Sequence, residues 1–283
     1  MIKFEFKNPD NYDVSGIIKA TVLGEFNFPL RFRVYNNISN SLIYENYLNS
    51  IGYWCSYSEP CNTTIRIYDN NDNIVSEWKW NIEEHGDFIH RYFYNWCKNN
   101  KNTKGIAIGT HDGTTGEWTI PILENLTTGF LVEASNHQFN MLVDNYKNFN
   151  NVHTIKNLIT PDGGMVEFFE GDDSYTNSVI KEHTSKFNNN NIKSNLVESI
   201  SINDLIINCG LKDDISWLHL DVEGLDGDLI KALDDRIIRM PDVIIYESLN
   251  MSSDEKQNLI NYLESKFYFC KDFGWNSCAI KNL

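Results

Sequence analysis

The pattern of hydrophobic and polar positions changes near residue 84. From residue 17 to residue 80, short apolar runs with a period of two are separated by turns rich in Asn, Asp, Gly and Pro. The runs with strand character are GIIKATVLG, LRFRVYNN, SIGYWCSY, TTIRIYD and NIVSEWKW. Such alternation, broken by turns, is typical of antiparallel sheets. We therefore predict a small β-rich N-terminal domain over residues 1–83, with a sandwich or jelly-roll-like architecture.

After residue 84, apolar runs alternate with segments of helical periodicity. The strand-like runs are GIAIG, GFLVEA, VHTIKNLI, SWLHLDVEG and DVIIYE, and the final FYFC and NSCAIK predict a hairpin. The helical segments are GDFIHRYFYNWCKNN, NHQFNMLVDNYKNF, SINDLIINCGL, DLIKAL and SSDEKQNLINYLESKF. Capping boxes are predicted for Ser135 with Gln138 and for Ser252 with Glu255. The alternation predicts an α/β domain over residues 84–283, with a Rossmann-like, doubly wound, mostly parallel sheet and a C-terminal β-hairpin.

Two of the predicted strand ends have the features of a nucleoside site. In a doubly wound sheet, ligands bind beyond the carboxyl ends of the strands. Gly109 and Gly113 bracket a turn that we expect to lead into a helix and to let the backbone approach a ligand. The next strand ends in Glu133, about 20 residues further on, where a carboxylate can accept hydrogen bonds from ribose hydroxyls. Asn157 or Leu158, after the third strand, are candidates to flank an adenine ring, although ordinary strand packing explains them equally well.

A third cluster lies in LHLDVEGLDGDLIKAL, residues 218–233. Strand alternation places His219, Asp221 and Glu223 on one face of the end of the fourth strand. Acids at this position can also compensate the dipole of the helix that follows, which explains one of them but not the whole cluster. We therefore interpret this segment as a candidate active centre.

The same segment resembles the KIDVEGxExxVLKG motif of FkbM-type S-adenosylmethionine-dependent methyltransferases. Across residues 84–283, GIAIGTHDGTTGEW is similar to the first motif of that family, and VESISINDLI is similar to its LDDL lead-in. GFLVEASNHQFNMLVDNY resembles EPxPxxFxxLxxN, with Glu133 and Asn145 in place, and Glu247 matches a frequent glutamate of the fifth strand. The order and spacing of these motifs make the resemblance specific.

The chain departs from the family pattern at four places. Ala107 stands where an Asp is usual, and Gly109-Thr110-His111 replaces a GAN triplet. His219 replaces a Lys, and Asp226 replaces a Glu. Ala107 keeps open a second hypothesis, that of a non-catalytic binding or assembly protein on a methyltransferase scaffold. A third hypothesis is methylation of nitrogen or of a protein side chain, against which the lack of an NPPY-like motif after the fourth strand argues.

The resemblance implies S-adenosyl-L-methionine as cofactor and methyl transfer to a hydroxyl of a sugar, a glycan or another small molecule. The residues expected to contact the cofactor are Gly109, Thr110, His111, Asp112, Gly113, Glu133, Ala134, Asn157, Leu158 and Asp221. Asp221 is the first choice for the acid at the active centre, with Glu223, His219 and Glu247 as alternatives. No set of ligands in the sequence requires a metal, although a cation held by Asp221 and a neighbour is left open.

Composition indicates which kinds of ligand the protein binds and in which cellular compartment it resides. The formal net charge of −15 disfavours a protein that binds nucleic-acid phosphates and suits a neutral or cationic small molecule. The six cysteines show no CxxC pair, so we expect free thiols in a reducing, cytoplasmic compartment, with a Cys55–Cys61 disulfide as the minority interpretation. The start of the chain lacks a signal-peptide core, and no segment has the length of a membrane span.

The N-terminal domain lies outside the resemblance. We expect it to bind glycan, to cap the active site or to form a homo-oligomer. Four of its aromatic residues suit stacking on sugar rings, although core packing is the commoner role of such side chains. They are Tyr53, Trp54, Trp78 and Trp80.

Overall fold

A computed structural model describes most of the chain. The described residues are 2–7, 17–22, 26, 30–36, 42–48, 54–58, 63–80, 88–172, 174–188 and 192–282. The chain divides into two compact units, Met1–Asn99 with Thr119–Glu124 and Asn100–Trp118 with Asn125–Leu283.

The first unit contains two antiparallel sheets. Its strands are β1 (Ile2–Lys7), β2 (Ile17–Val22), β3 (Leu30–Asn36), β4 (Leu42–Leu48), β5 (Trp54–Ser58), β6 (Thr63–Tyr68) and β7 (Ile74–Trp80). One sheet has the order β1–β2–β5 and the other the order β4–β3–β6–β7. Alternate residues of the second sheet are fully buried, among them Phe32, Ile65 and Ile67. The predicted β-rich character is confirmed; β1 and β4 add two strands that the pattern did not indicate.

Two helices complete the first unit. Helix α1 (Phe88–Asn99) buries Ile89, Phe93 and Cys97, which lie four residues apart on one face. Helix α2 (Thr119–Leu123) is short. The helix expected after the turn of Gly109 and Gly113 is α2, which begins after irregular backbone that continues to Trp118.

The second unit is built on a seven-stranded sheet. The strands of this unit are β8 (Thr103–Ile108), β9 (Thr127–Glu133), β10 (Val152–Lys156), β11 (Leu158–Thr160), β12 (Gly164–Glu170), β13 (Lys193–Ser201), β14 (Trp217–Leu220), β15 (Val243–Glu247), β16 (Tyr268–Asp272) and β17 (Asn276–Lys281). The sheet order is β10–β9–β8–β14–β15–β17–β16. All pairings from β10 to β15 are parallel, and β17 pairs antiparallel with β15 and with β16. The predicted Rossmann-like sheet and the C-terminal hairpin are confirmed.

Strand order reverses between β8 and β14. From β8 the chain proceeds outward through β9 and β10, and it later returns to the other side of β8 to form β14 and β15. In folds of this type, the loops at such a reversal diverge to opposite sides, and ligands bind in the crevice between them.

The helices of this unit are α3 (Asn136–Tyr146), α4 (Lys181–Phe187), α5 (Ile202–Asn208), α6 (Asp226–Ala232) and α7 (Ser253–Ser265), with a 3-10 turn at Ser174–Thr176. Apolar strand and helix residues form one core, which includes Ile106, Ile108, Leu218, Leu220, Leu229, Ile230, Ile244, Leu259 and Leu263. Near-continuous apolar runs such as VIIYE are expected for parallel strands that are covered on both faces. No helix in the described ranges is long and apolar enough to cross a membrane.

Two expectations for this unit are wrong. The run VHTIKNLI is not one strand, because β10 ends at Lys156 and β11 pairs with β13 in a separate sheet of order β11–β13–β12. The Ser135 side chain does not cap α3; its hydroxyl instead accepts a hydrogen bond from Asn177 Nδ2 at 3.0 Å. By contrast, the Ser252–Glu255 capping box is confirmed in both directions.

Candidate active site

Gly109 follows β8 at the point where the strand order reverses. Its φ is +79°, and a Cβ at this position would lie 1.7 Å from the carbonyl oxygen of Asp221. The Asp221 N–H donates to the carbonyl of Ile108 at 3.0 Å, and the Gly109 N–H donates to that of Val132 at 3.0 Å. Only glycine fits because three strand ends converge on this residue.

Glu133 ends β9 and holds two loops together. Its Oε2 accepts the backbone N–H of His111 at 2.8 Å, and its Oε1 accepts that of Ser135 at 2.7 Å. The residue is 8% exposed, and burial raises the pKa of its carboxyl, an effect that the two N–H groups oppose. The carboxylate is thus fixed in orientation at the edge of the sheet, and Ala134 follows it there.

The turn after Gly109 has an unusual backbone. His111 adopts a φ of +50° and Gly113 one of +81°. The Asp112 carboxylate accepts the N–H and the hydroxyl of Thr114 at 3.0 and 2.7 Å. Its Oδ1 lies 3.5 Å from His111 Nδ1, and this imidazole contributes most to lowering the pKa of Asp112 to about 2.

Aromatic and amide groups cover this turn. The imidazole of His111 stacks on the ring of Tyr175, with 3.9 Å between centroids. Asn145 Nδ2 donates to the carbonyl of Asp112 at 2.8 Å, and Tyr146 Oη donates to that of Gly113 at 2.7 Å. Tyr175 is an addition to the predicted set, since no pattern in its surroundings indicated a role.

Other predicted cofactor residues lie at the same edge. Thr110 is buried, and its hydroxyl donates to the carbonyl of Val132 at 3.3 Å. The Asn157 N–H donates to the carbonyl of Glu133 at 3.2 Å. Leu158, the next residue, is 8% exposed. These residues, the turn from Gly109 to Gly113 and Glu133 therefore all lie at the carboxyl ends of β8, β9 and β10.

Carboxylates collect on the other side of the reversal. Asp221, Glu223 and Glu247 each bring one oxygen into a region where these atoms lie within 4.8 Å of one another. Asp221 follows β14 and is exposed to solvent. Loss of hydration, followed by the negative charges of Glu247 and Asp226, raises the pKa of Asp221 to about 8.

Asp226 opens α6 and lies buried beside this cluster. It is 1% exposed, and neither carboxylate oxygen has a hydrogen bond of ordinary geometry among the described residues. Burial and the charge of Glu247 raise its pKa to about 7, opposed by N–H groups of the backbone between Val222 and Asp226. In the sequence, Asp226 is notable only because it replaces a Glu of the family motif.

His219 is engaged inside the protein. A 2.7 Å hydrogen bond joins its Nε2 to Glu117 Oε2, and both side chains are buried. Asn276 Nδ2 donates to the other Glu117 oxygen at 2.8 Å. Ala107 lies in register with His219 on the neighbouring strand. No local pattern pointed to Glu117, because its partners lie more than 100 residues away along the chain.

Glu223 has a histidine partner. His183 Nε2, on α4, lies 3.0 Å from Glu223 Oε2, and burial lowers the pKa of this imidazole. The backbone of Glu223 has a φ of +55°, and its carbonyl accepts the Ser178 hydroxyl at 2.9 Å. Glu247, at the end of β15, is held by Asn250 Nδ2 at 3.1 and 3.2 Å from its two oxygens. The structure therefore fixes the backbone or the side chain of each acid around Asp221.

No family model matches the chain, and no curated protein matches it. Several solved structures are similar at low identity. A precorrin-6y C5,15-methyltransferase of Geobacter metallireducens GS-15 is 13% identical, with 68% of this chain and 87% of that one covered and a TM-score of 0.39. A fibrillarin pre-rRNA processing protein of Methanococcus jannaschii is 10% identical, with 99% and 98% covered and a TM-score of 0.40. An O-methyltransferase of Bacillus cereus in complex with SAH is 13% identical, with 69% and 79% covered and a TM-score of 0.37.

Proposed function

We propose that this chain is an S-adenosylmethionine-dependent O-methyltransferase that acts on a hydroxyl of a sugar, a glycan or another small molecule. The observation that carries the proposal is the carboxylate of Glu133, which two backbone N–H groups hold at the end of β9. A strand-end carboxylate fixed in this way is suited to accept hydrogen bonds from both ribose hydroxyls of an adenosine group.

The charge of the site supports the same proposal. S-adenosylmethionine, when bound, supplies a methyl group on a positively charged sulfur. Asp221, Glu223 and Glu247 make the far side of the crevice acidic, and such a potential attracts a cationic ligand. Glu133 would hold the adenosine on one side of the strand reversal, and the acidic cluster would face the sulfonium and the acceptor on the other.

The acceptor hydroxyl must lose its proton as its oxygen attacks the methyl carbon. Asp221 is our choice for the group that receives this proton, because it is accessible to solvent and accepts no hydrogen bond from the described residues. Glu223 and Glu247 are the alternatives in the same cluster. His219 is already bonded to Glu117, so we assign it a positioning role beneath Asp221.

Calorimetric titration of the full chain with S-adenosylmethionine and S-adenosylhomocysteine tests the cofactor assignment. Wild type should bind both, and Glu133→Ala or Glu133→Gln should weaken binding more than about tenfold, since a buried acceptor of hydroxyl hydrogens is lost. Glu198→Ala is the matched control, because that glutamate is exposed on β13. Thermal unfolding establishes that the variants are folded. Absence of binding to wild type, or equal binding by a folded Glu133 variant, would refute the cofactor assignment.

Methyl transfer is tested separately, by screening glycans and free sugars with labelled cofactor. Asp221→Asn should keep the fold yet lose transfer by about 100-fold or more, as expected when a proton acceptor is removed. Full activity of this variant would refute the role given to Asp221.

A non-catalytic binding protein is the second candidate. Ala107, where the resembling family has an acid, is fully buried and in register with His219. Cofactor binding with no transfer to any acceptor would favour this candidate. The glycan-binding, capping or oligomerisation roles of the N-terminal domain remain predictions, and Tyr53 lies outside the described residues.

A further inference from the structure

The cluster of Asp221, Glu223 and Glu247 has the donor set of a cation site. Each residue offers one carboxylate oxygen, and the three atoms lie within 4.8 Å of one another. Asp221 and Glu223 follow β14, and Glu247 ends the neighbouring parallel strand β15, so the fold brings them together. Three ionised carboxylates at this spacing repel one another unless a positive charge lies between them.

Asp226 gives an independent indication of a missing positive charge. The residue is 1% exposed, and apart from weakly aligned backbone N–H groups neither carboxylate oxygen has a hydrogen-bond donor among the described residues. The charges of Glu247 and Asp226 interact, as do those of Asp226 and Asp221, so Asp226 lies beside the cluster. A buried carboxylate without well-aligned partners is unfavourable, and a nearby cation would compensate it.

Among the described residues, no permanent cation pairs with the acids of this cluster. Within the described ranges, no lysine or arginine forms an ion pair with Asp221, Asp226 or Glu247. Glu223 has a histidine partner, His183, and Glu247 is oriented by the amide of Asn250. A cation here would therefore be bound by oxygen atoms only. Asn250 would hold the Glu247 carboxylate in position through its hydrogen bonds.

We propose that Asp221, Glu223 and Glu247 bind one divalent cation of the Mg²⁺ class, with Asp226 as a buried charge that strengthens binding. Hard cations of this class prefer carboxylate oxygens, and Mg²⁺ retains waters at its remaining positions, which suits the accessible side of Asp221. The role in catalysis rests on the proposed function: a cation here would bind the acceptor oxygen and lower the pKa of its hydroxyl.

Electron paramagnetic resonance of Mn²⁺ tests the site on the full chain without cofactor. Wild type should bind one Mn²⁺, and Mg²⁺ should displace it. Asp221→Asn and Glu247→Gln should each weaken binding at least tenfold, and Asp226→Asn by about tenfold, as for residues just outside the ligand shell. Asp228→Asn, which removes an exposed charge from the same helix, should bind Mn²⁺ as wild type does.

Lack of stoichiometric Mn²⁺ binding by wild type would overturn the proposal without reference to any variant. It would also be overturned by wild-type affinity in folded Asp221→Asn, by equal losses in Asp228→Asn, or by failure of Mg²⁺ to compete. The cofactor titration is a separate measurement. Mn²⁺ binding without cofactor binding would leave the cation site standing and refute the proposed function, and the reverse result would refute only the cation site.

Discussion

Gly109 and Gly210 provide a matched pair at the scale of single residues. Both have positive φ, +79° and +70°, but a Cβ at Gly109 would overlap the Asp221 carbonyl, whereas one at Gly210 would meet no atom within 4 Å. Gly210→Ala should lower the free energy of unfolding by about 1 kcal/mol, the cost of the left-handed conformation. Gly109→Ala should lower it by about 3 kcal/mol or more, because strain and overlap add.

Urea unfolding of the two glycine variants measures this difference. A similar loss of stability in both would mean that the end of β8 can move away from β14. The packing argument for Gly109 would then fail, and only the backbone argument would remain.

At this scale, the sequence identified functional residues that can be recognised from their immediate neighbours along the chain. Glu133 was predicted from its place at a strand end and from its distance to the glycine turn, and the structure fixes it by two N–H groups. Glu117 was missed because its partners, His219 and Asn276, lie more than 100 residues away along the chain. Hydrogen bonds across such separations leave no local pattern.

At the scale of elements, helix α7 has a complete capping box that can be tested. Ser252 accepts the Glu255 N–H at 3.3 Å, and Glu255 Oε2 accepts the Ser252 N–H at 2.7 Å. Ser252→Ala should reduce the free energy of unfolding by about 1 kcal/mol, because an N–H in the first turn loses its acceptor.

Ser253→Ala is the control for this element, since Ser253 is exposed and its side chain makes no hydrogen bond among the described residues. It should change stability by less than about 0.5 kcal/mol. Chemical unfolding curves of both variants provide the comparison, and equal stabilities would show that the box contributes nothing measurable.

The two serines predicted as helix caps show that a local sequence pattern indicates a possible cap but not whether the cap forms. The spacing of Ser135 and Gln138 is that of a capping box, yet Asn177, more than 40 residues away, takes the Ser135 hydroxyl. Among the described residues, no distant side chain forms a hydrogen bond with the Ser252 hydroxyl, so Ser252 caps its helix. Likewise VHTIKNLI has the apolar character of one strand, and only pairing with β13 separates Leu158 from β10.

At the scale of the whole molecule, the reactivity of the cysteine thiols can be used to test how tightly the second unit is packed. Burial raises the pKa of Cys278 to about 12 and those of Cys209 and Cys270 to about 11. Neither these cysteines nor Cys97 form a disulfide among the described residues. Only the thiolate reacts with iodoacetamide, so alkylation of the native chain at pH 8 should be slow and should accelerate about tenfold per pH unit until each pKa is approached.

Peptide mass spectrometry after timed alkylation distinguishes the sites. Cys278, which is 2% exposed, should be modified last, and unfolding in urea should remove the differences. Rapid native modification of Cys278 would contradict its burial between β15 and β16. The side chain of Cys55 and the whole of Cys61 lie outside the described structure, so their minority disulfide remains a prediction.

By itself the sequence determined the strands and most helices of the seven-stranded sheet domain, the β-rich character of the first part and the strand-end acids. These follow from periodicity and from turn residues, which act over a few positions. Tertiary structure decided which strand ends are neighbours, and so brought Asp221 and Glu247 together beside the buried Asp226. It also placed Glu117 against His219 and moved β11 to another sheet. Strand order and register depend on contacts between distant segments, and a single sequence does not display those contacts.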